Sequence, residues 1–265
     1  MPIYTPVFSA SHNRVTYHGM SITNKNEFED YLQDRVRRRL IDADDNERDP
    51  FDSDLLSLAT TEMAVETVKL LLNSRPPAKP WQVGEALAEC FLEEKNGVKW
   101  PWNDKRDKRT PKASLPGADL VGFIGEADNV FLAWGEVKTS DDVSTPPNLM
   151  YGNEGMIYQL DTLATRIEVH ASLLEWLYAR CENTKFWPMY QTAVRRYLDS
   201  RGCAVMLFGV LLRDTKPNEL DVKNRSRTLS TKVRDPTRVE IFVLYLPHFI
   251  KDWPSLVDGV VCPGS

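Results

Sequence analysis

A chain of 265 residues is long enough for one large domain or a domain with an appendage, and its 42% hydrophobic and 27% charged residues are ordinary for a globular protein. A formal net charge of −5 excludes coating of nucleic acid by bulk positive charge, so such contact must come from local basic patches or a partner. No apolar run reaches membrane-spanning length, no charged-then-apolar leader opens the chain, and Cys90, Cys181, Cys203 and Cys262 form no C-x-x-C pair, so the expectation is a cytoplasmic protein without membrane partner, zinc site or disulfide scaffold.

Residues 1–23 set Tyr4, Val7, Phe8, Val15 and Tyr17 among polar residues, which predicts a strand or a packed arm. From 24 to 42, Phe28, Tyr31, Leu32, Val36 and Leu40 recur at helical spacing and predict one apolar face. Arg35, Arg37, Arg38 and Arg39 on that helix read as a solvated face or, less commonly, a phosphate contact. An acidic turn over 42–50 leads to a second helix predicted over 53–72. The stretch Ser74-Arg-Pro-Pro-Ala-Lys-Pro80 cannot continue a helix, and it divides the chain into a helical N-terminal module, 1–80, and a second domain, 81–265.

Residues 81–94 predict an amphipathic helix carrying Val83, Leu87, Cys90 and Phe91. Glu85 and Glu89 lie four apart on it, so they point the same way and repel unless something compensates them. The next stretch, 95–112, is the most basic of the chain: Lys95, Lys99, Lys105, Arg106, Lys108, Arg109 and Lys112, interleaved with Trp100 and Trp102. It reads equally as a solvated loop or as a clamp on a nucleic-acid backbone.

That loop runs into two apolar segments, 117–125 and 130–138, joined by a turn at 126–129. Pairing Gly125 with Val130 and counting outward sets Asp119 opposite Glu136, with Lys138 on the same strand face as Glu136. Both faces of these segments are apolar, which predicts strands buried on both sides. Charges at the rim of such a sheet need a partner or a metal. A salt bridge at a strand end is the plain reading. Two converging carboxylates also suit a hard cation such as Mg²⁺, and a lysine beside them can position water or stabilise charge on a phosphate.

Beyond Lys138, an extended loop precedes a long helix predicted over 154–179, with Gln159 in its first turns. Another helix is predicted from Pro188 to Ser200, ended by Gly202. Residues 203–212 and 239–246 read as buried strands, the second as a neighbour or edge partner of the first. Between them, 213–238 is a polar loop with Lys223, Arg225, Arg227, Lys232 and Arg234, a second candidate basic surface. Phosphate-loop and nucleophile-elbow signatures are absent, and His12, His18, His170 and His248 show no ligand spacing.

Asp119 followed by Glu136-Val137-Lys138 on the next strand resembles the signature of the PD-(D/E)XK nuclease superfamily, with Pro116 displaced from its usual place directly before the aspartate. The resemblance spans roughly 81–212. It implies an α/β fold, a restriction-endonuclease-like α-β-β-β-α-β core behind the helical N-terminal module. It also implies a Mg²⁺-dependent nuclease, with Mn²⁺ as an alternative, that hydrolyses phosphodiester bonds in DNA. Asp119 and Glu136 would ligate the metal with Glu85 or Glu89 assisting, Glu85 being the leaning; Lys138 would act on the attacking water and Gln159 would support it. The layout is similar to nuclease subunits of helicase-linked antiphage defence systems, including the Hachiman type, which implies a helicase partner met through residues 1–80. A stand-alone restriction or repair nuclease, or a non-catalytic binding or scaffold protein on the same fold, fits the same residues.

Overall fold

The computed structural model of the chain describes residues 4–41, 50–74, 77–101 and 117–259. The acidic turn and positions 102–116 of the basic loop lie outside the described residues. A hairpin opens the fold: β1 (Thr5–His12) and β2 (Val15–Ser21). Helix α1 (Lys25–Tyr31) runs through a π-helical turn, Leu32–Val36, into α2 (Arg37–Ile41). Asn24 starts this stretch by accepting the N–H groups of Asn26 and Glu27, donors that the first helical turn leaves unpaired. Helices α3 (Pro50–Leu58), α4 (Glu62–Asn73) and α5 (Pro80–Asn96) follow, then β3 (Leu120–Ile124) and β4 (Phe131–Ser140). Helices α6 (Met156–Thr165), α7 (Ile167–Cys181) and α8 (Trp187–Asp199) lead to β5 (Val205–Arg213), α9 (Lys223–Ser230), β6 (Arg238–Tyr245) and α10 (Trp253–Val257).

The architecture is α/β around a mixed six-stranded sheet in the order β1-β2-β6-β5-β4-β3. Strands β2, β6, β5 and β4 run parallel, and the outer strands β1 and β3 pair antiparallel to their neighbours. Alternation along each strand divides the core between two faces. Ala133 and Val137 of β4 and Val210 and Leu212 of β5 pack with α1, α5 and α10. Leu132 and Trp134, with Leu207 and Leu211, pack with α6, α7 and α8. Trp134 is fully buried.

Four expectations change. The 53–72 helix is two helices, because Thr61 caps a new start by accepting the N–H of Ala64. The 154–179 helix breaks at Arg166, whose backbone is extended (φ −95°, ψ 107°). The polar loop 213–238 contains α9; of the two alternatives for 239–246, β6 is the direct neighbour of β5, inside the sheet between β5 and β2. The division at residue 80 is not a division of the core: β2 pairs with β6, and Phe28, Leu32 and Val36 share one apolar cluster with α5 and the sheet. The prolines stop a helix there without ending the packing.

Candidate active site

Strand β4 carries the site at its C-terminal end. The β3–β4 register runs from Ile124 opposite Phe131 to Leu120 opposite Gly135, and Asp119 follows just before β3, its carboxylate beside Glu136. The turn that sets it is closed by the Asn129 N–H donating to the Glu126 carbonyl at 2.9 Å. Asp119 is tied to β4 twice: its N–H donates to the Gly135 carbonyl at 3.0 Å, and its Oδ2 accepts the Val137 N–H at 2.9 Å. Lys138 Nζ lies 2.6 Å from Glu136 Oε1. By alternation Glu136 and Lys138 share the sheet face of Trp134.

Glu136 is buried, 5% exposed. Burial first, and the Asp119 carboxylate beside it second, push its pKa up from 4.5 to about 7; the Lys138 ammonium opposes the rise. A positive charge brought beside such a carboxyl favours its ionised form, the proton leaving to water. Its partner across β5 is Gly209, where an added Cβ would lie 3.0 Å from both Met156 Sδ and Leu160 Cδ1. The missing side chain therefore lets the first turns of α6 pack beside Glu136.

Helix α5 serves the site from the other face. An added Cβ at Gly84 would lie 2.2 Å from Thr139 Oγ1, so the helix crosses β4 one residue past Lys138. Glu85, half-buried, follows directly. The two α5 glutamates separate here. Glu89, 8% exposed, pairs with Arg39 of α2 at 3.5 Å. Arg39 also binds Glu93, and Arg35 binds Glu93 at 2.9 Å and Glu94 at 3.5 Å. Arg35 and Arg39 of the cluster read as a solvated face or phosphate contact thus form an ionic seam with α5, while Arg38 pairs with Asp34 and Arg37 is exposed. The seam's signal in the sequence was the matched four-residue spacing of Arg35 and Arg39 with Glu89 and Glu93.

Asp119 and Glu136 come together beside Lys138, and among the described residues no group of three or more His, Cys, Asp or Glu side chains is found placed for a metal ion. Gln159 donates its side-chain amide to the Asn153 carbonyl at 2.9 Å, which holds the loop before α6 instead of the β4 strand. Of the basic loop, Lys99 is anchored on the outer edge of β3 by paired bonds with Phe123 (2.7 and 2.9 Å). A cleft of about 590 Å³ beside Phe131, Arg196 and Pro236 lies at the opposite end of β4.

One group of residues escaped the sequence. Arg213, the last residue of β5, is wholly buried and pairs in register with Ser140. Its Nη2 donates to the carbonyls of Asp142 (2.7 Å) and Ser144 (3.2 Å), clamping the loop that leaves β4. Asp221, also wholly buried, stands 3.6 Å from Arg213 Nη1 and accepts the Tyr245 hydroxyl at 2.9 Å. In the same loop Asp142 accepts the N–H groups of Asn148 and Ser144, and those bonds hold its pKa at about 2. A buried charged pair at the end of an apolar strand has no periodic pattern to reveal it.

No model of a known protein family matches this chain, and no curated protein matches it. Among the described residues no helix is long and apolar enough to cross a membrane.

Proposed function

We propose that the chain is a metal-dependent nuclease of the PD-(D/E)XK kind that hydrolyses phosphodiester bonds in DNA. The observation that carries this reading is the meeting of Asp119, Glu136 and Lys138 at the end of β4. Two carboxylates, one of them poised to deprotonate near neutrality, fit a small oxygen-preferring cation that keeps water in its remaining positions. Mg²⁺ or Mn²⁺ held by Asp119 and Glu136 would supply positive charge for the phosphate. Asp119 is fixed for this by the Val137 N–H. Lys138 is the residue to hold the attacking water or to offset charge developing on the phosphate, once its ammonium turns from Glu136. Glu89 is paired with Arg39, and Glu85 is the α5 carboxylate assigned to assist through the cation's water.

The net charge of −5 supports a further part of the proposal: the nuclease works with a partner that supplies grip on DNA, a helicase in antiphage defence being the reading carried from the layout. A second reading has its own support. The 2.6 Å Lys138–Glu136 contact is a satisfied ion pair, which suits a scaffold without catalysis.

The deciding experiment measures Mg²⁺- and Mn²⁺-dependent cleavage of single- and double-stranded DNA by wild type, Glu136→Ala and Lys138→Ala, with melting temperatures recorded in parallel. Metal-dependent cleavage lost in both folded variants is the expected result. Wild-type rates in either variant, or no cleavage by wild type with any substrate, would remove the nuclease assignment.

A further inference from the structure

Along the loop that leaves β4 the surface changes character. Tyr151, in the loop that joins β4 to α6, is 44% exposed, and the Arg225 guanidinium of α9 lies 3.9 Å from its ring centroid. On α6, Tyr158 is 39% exposed and its hydroxyl accepts Arg166 Nη2 at 3.1 Å. Each exposed ring is thus paired with an arginine that steadies it. A short path of contacts ties Tyr151 to the site. An added Cβ on Gly155 would lie 2.3 Å from the Tyr151 carbonyl; Met156 follows Gly155 and packs against Gly209, which stands opposite Glu136. The loop itself is clamped by Arg213 through the Asp142 and Ser144 carbonyls, so its position is built in.

Charge alone does not define this surface. Exposed Arg227 adds to Arg166 and Arg225, while exposed Asp141 and Glu154 in the loop oppose them. Lys223 and Lys232 are paired with Glu219 and Asp161. What remains in excess is aromatic area held in place by cations, and that is the chemistry of base stacking. Bases in a duplex are already stacked on one another; bases of an unpaired strand are available.

We propose that Tyr151, backed by Arg225, is a stacking platform for a base of an unpaired nucleic-acid strand led to the Asp119–Glu136–Lys138 site. This rests on the nuclease reading for its direction, and its binding claim is tested without cleavage. In EDTA, a fluorescein-labelled 20-nucleotide strand of mixed sequence is titrated by anisotropy, beside its duplex and an abasic strand of equal length. DNA and RNA versions are both run, because stacking serves either sugar. The strand with bases binds more tightly than the abasic strand and the duplex, with a salt slope no steeper than about −2, since three arginines at about −0.7 each set the limit.

Tyr151→Leu weakens binding of the base-bearing strand by about fivefold to a hundredfold and leaves the abasic strand unchanged. Tyr151→Phe keeps the preference. Should Tyr151→Leu melt early, Tyr151→Phe and Arg225→Gln carry the test, the first keeping the preference for bases and the second reducing it. Equal binding of abasic and base-bearing strands, no strand binding by wild type, or an unchanged affinity in folded Tyr151→Leu would overturn the platform. A strand preference that behaves as stated, with no cleavage under any metal, keeps the platform and removes the hydrolysis.

Discussion

Glu136 is the residue on which pH acts. Its folded-state pKa of about 7 stands above the ordinary 4.5, so between those values the folded protein binds more protons than the unfolded chain. Stability is therefore greatest below 4.5 on this account and falls as pH rises through 7, by an amount on the order of 3 kcal/mol. Glu136→Gln removes that dependence: its melting temperature exceeds wild type at pH 8 and matches it at pH 5, read by calorimetry across the range. A cation binds the deprotonated carboxyl, so the rise in melting temperature on adding Mn²⁺ is larger at pH 8 than at pH 5.5. Lys138→Met withdraws the ammonium that opposes the shift, and the same metal-induced rise then requires a higher pH. This part of the site was legible in the sequence because one turn between two apolar strands fixes the register, which runs as counted from Ile124–Phe131 to Leu120–Gly135 and leaves Asp119 beside Glu136. The clamp of Arg213 and Asp221 was not, since it depends on two segments whose placement no local pattern sets. Asp221→Ala, which leaves a buried guanidinium without its counter-charge, is expected to lower stability by about 3–5 kcal/mol in a denaturant titration.

At the scale of elements, α5 is held from two sides. Its sheet side packs through Gly84 on Thr139, and its outer side is pinned by Arg35 and Arg39. The two glutamates should therefore respond differently to amidation. Glu89→Gln breaks the seam and lowers the melting temperature, whereas Glu85→Gln reduces metal-dependent cleavage. A Glu89 variant with normal melting and no cleavage would reverse those roles. Arg39→Met should destabilise as Glu89→Gln does, and the pair together by less than the sum, the mark of a direct interaction. Periodicity predicted most helices but not their breaks at Thr61 and Arg166, because an apolar stripe continues through a cap that needs only one residue. Helix α4 shows a further limit of periodicity: Met63, Leu70 and Leu71 are exposed on one face while Val68 is buried on another.

Across the whole molecule, the sheet joins segments far apart in the chain. Val15 stands beside Val239 and Ser21 beside Tyr245, and the fully buried Tyr17 bonds Glu219 at 2.8 Å. A chain begun at residue 81 would lose β1, β2 and the apolar side chains of α1, so β6 would become an unpaired edge. Such a truncation is expected to aggregate or to melt far below the full chain, and a soluble, cooperatively folding 81–265 fragment would restore the division that the prolines suggested. The same pairing has a bearing on synthesis. As the chain leaves the ribosome from its N-terminus, the β1–β2 hairpin and the β3–β4 pair that carries Asp119 and Glu136 emerge first. The parallel strand that joins the halves of the sheet is completed when residue 245 emerges. Until then the nascent protein displays β2 with one side unpaired, and a chain cut short before β6 carries both site carboxylates on a sheet that cannot close.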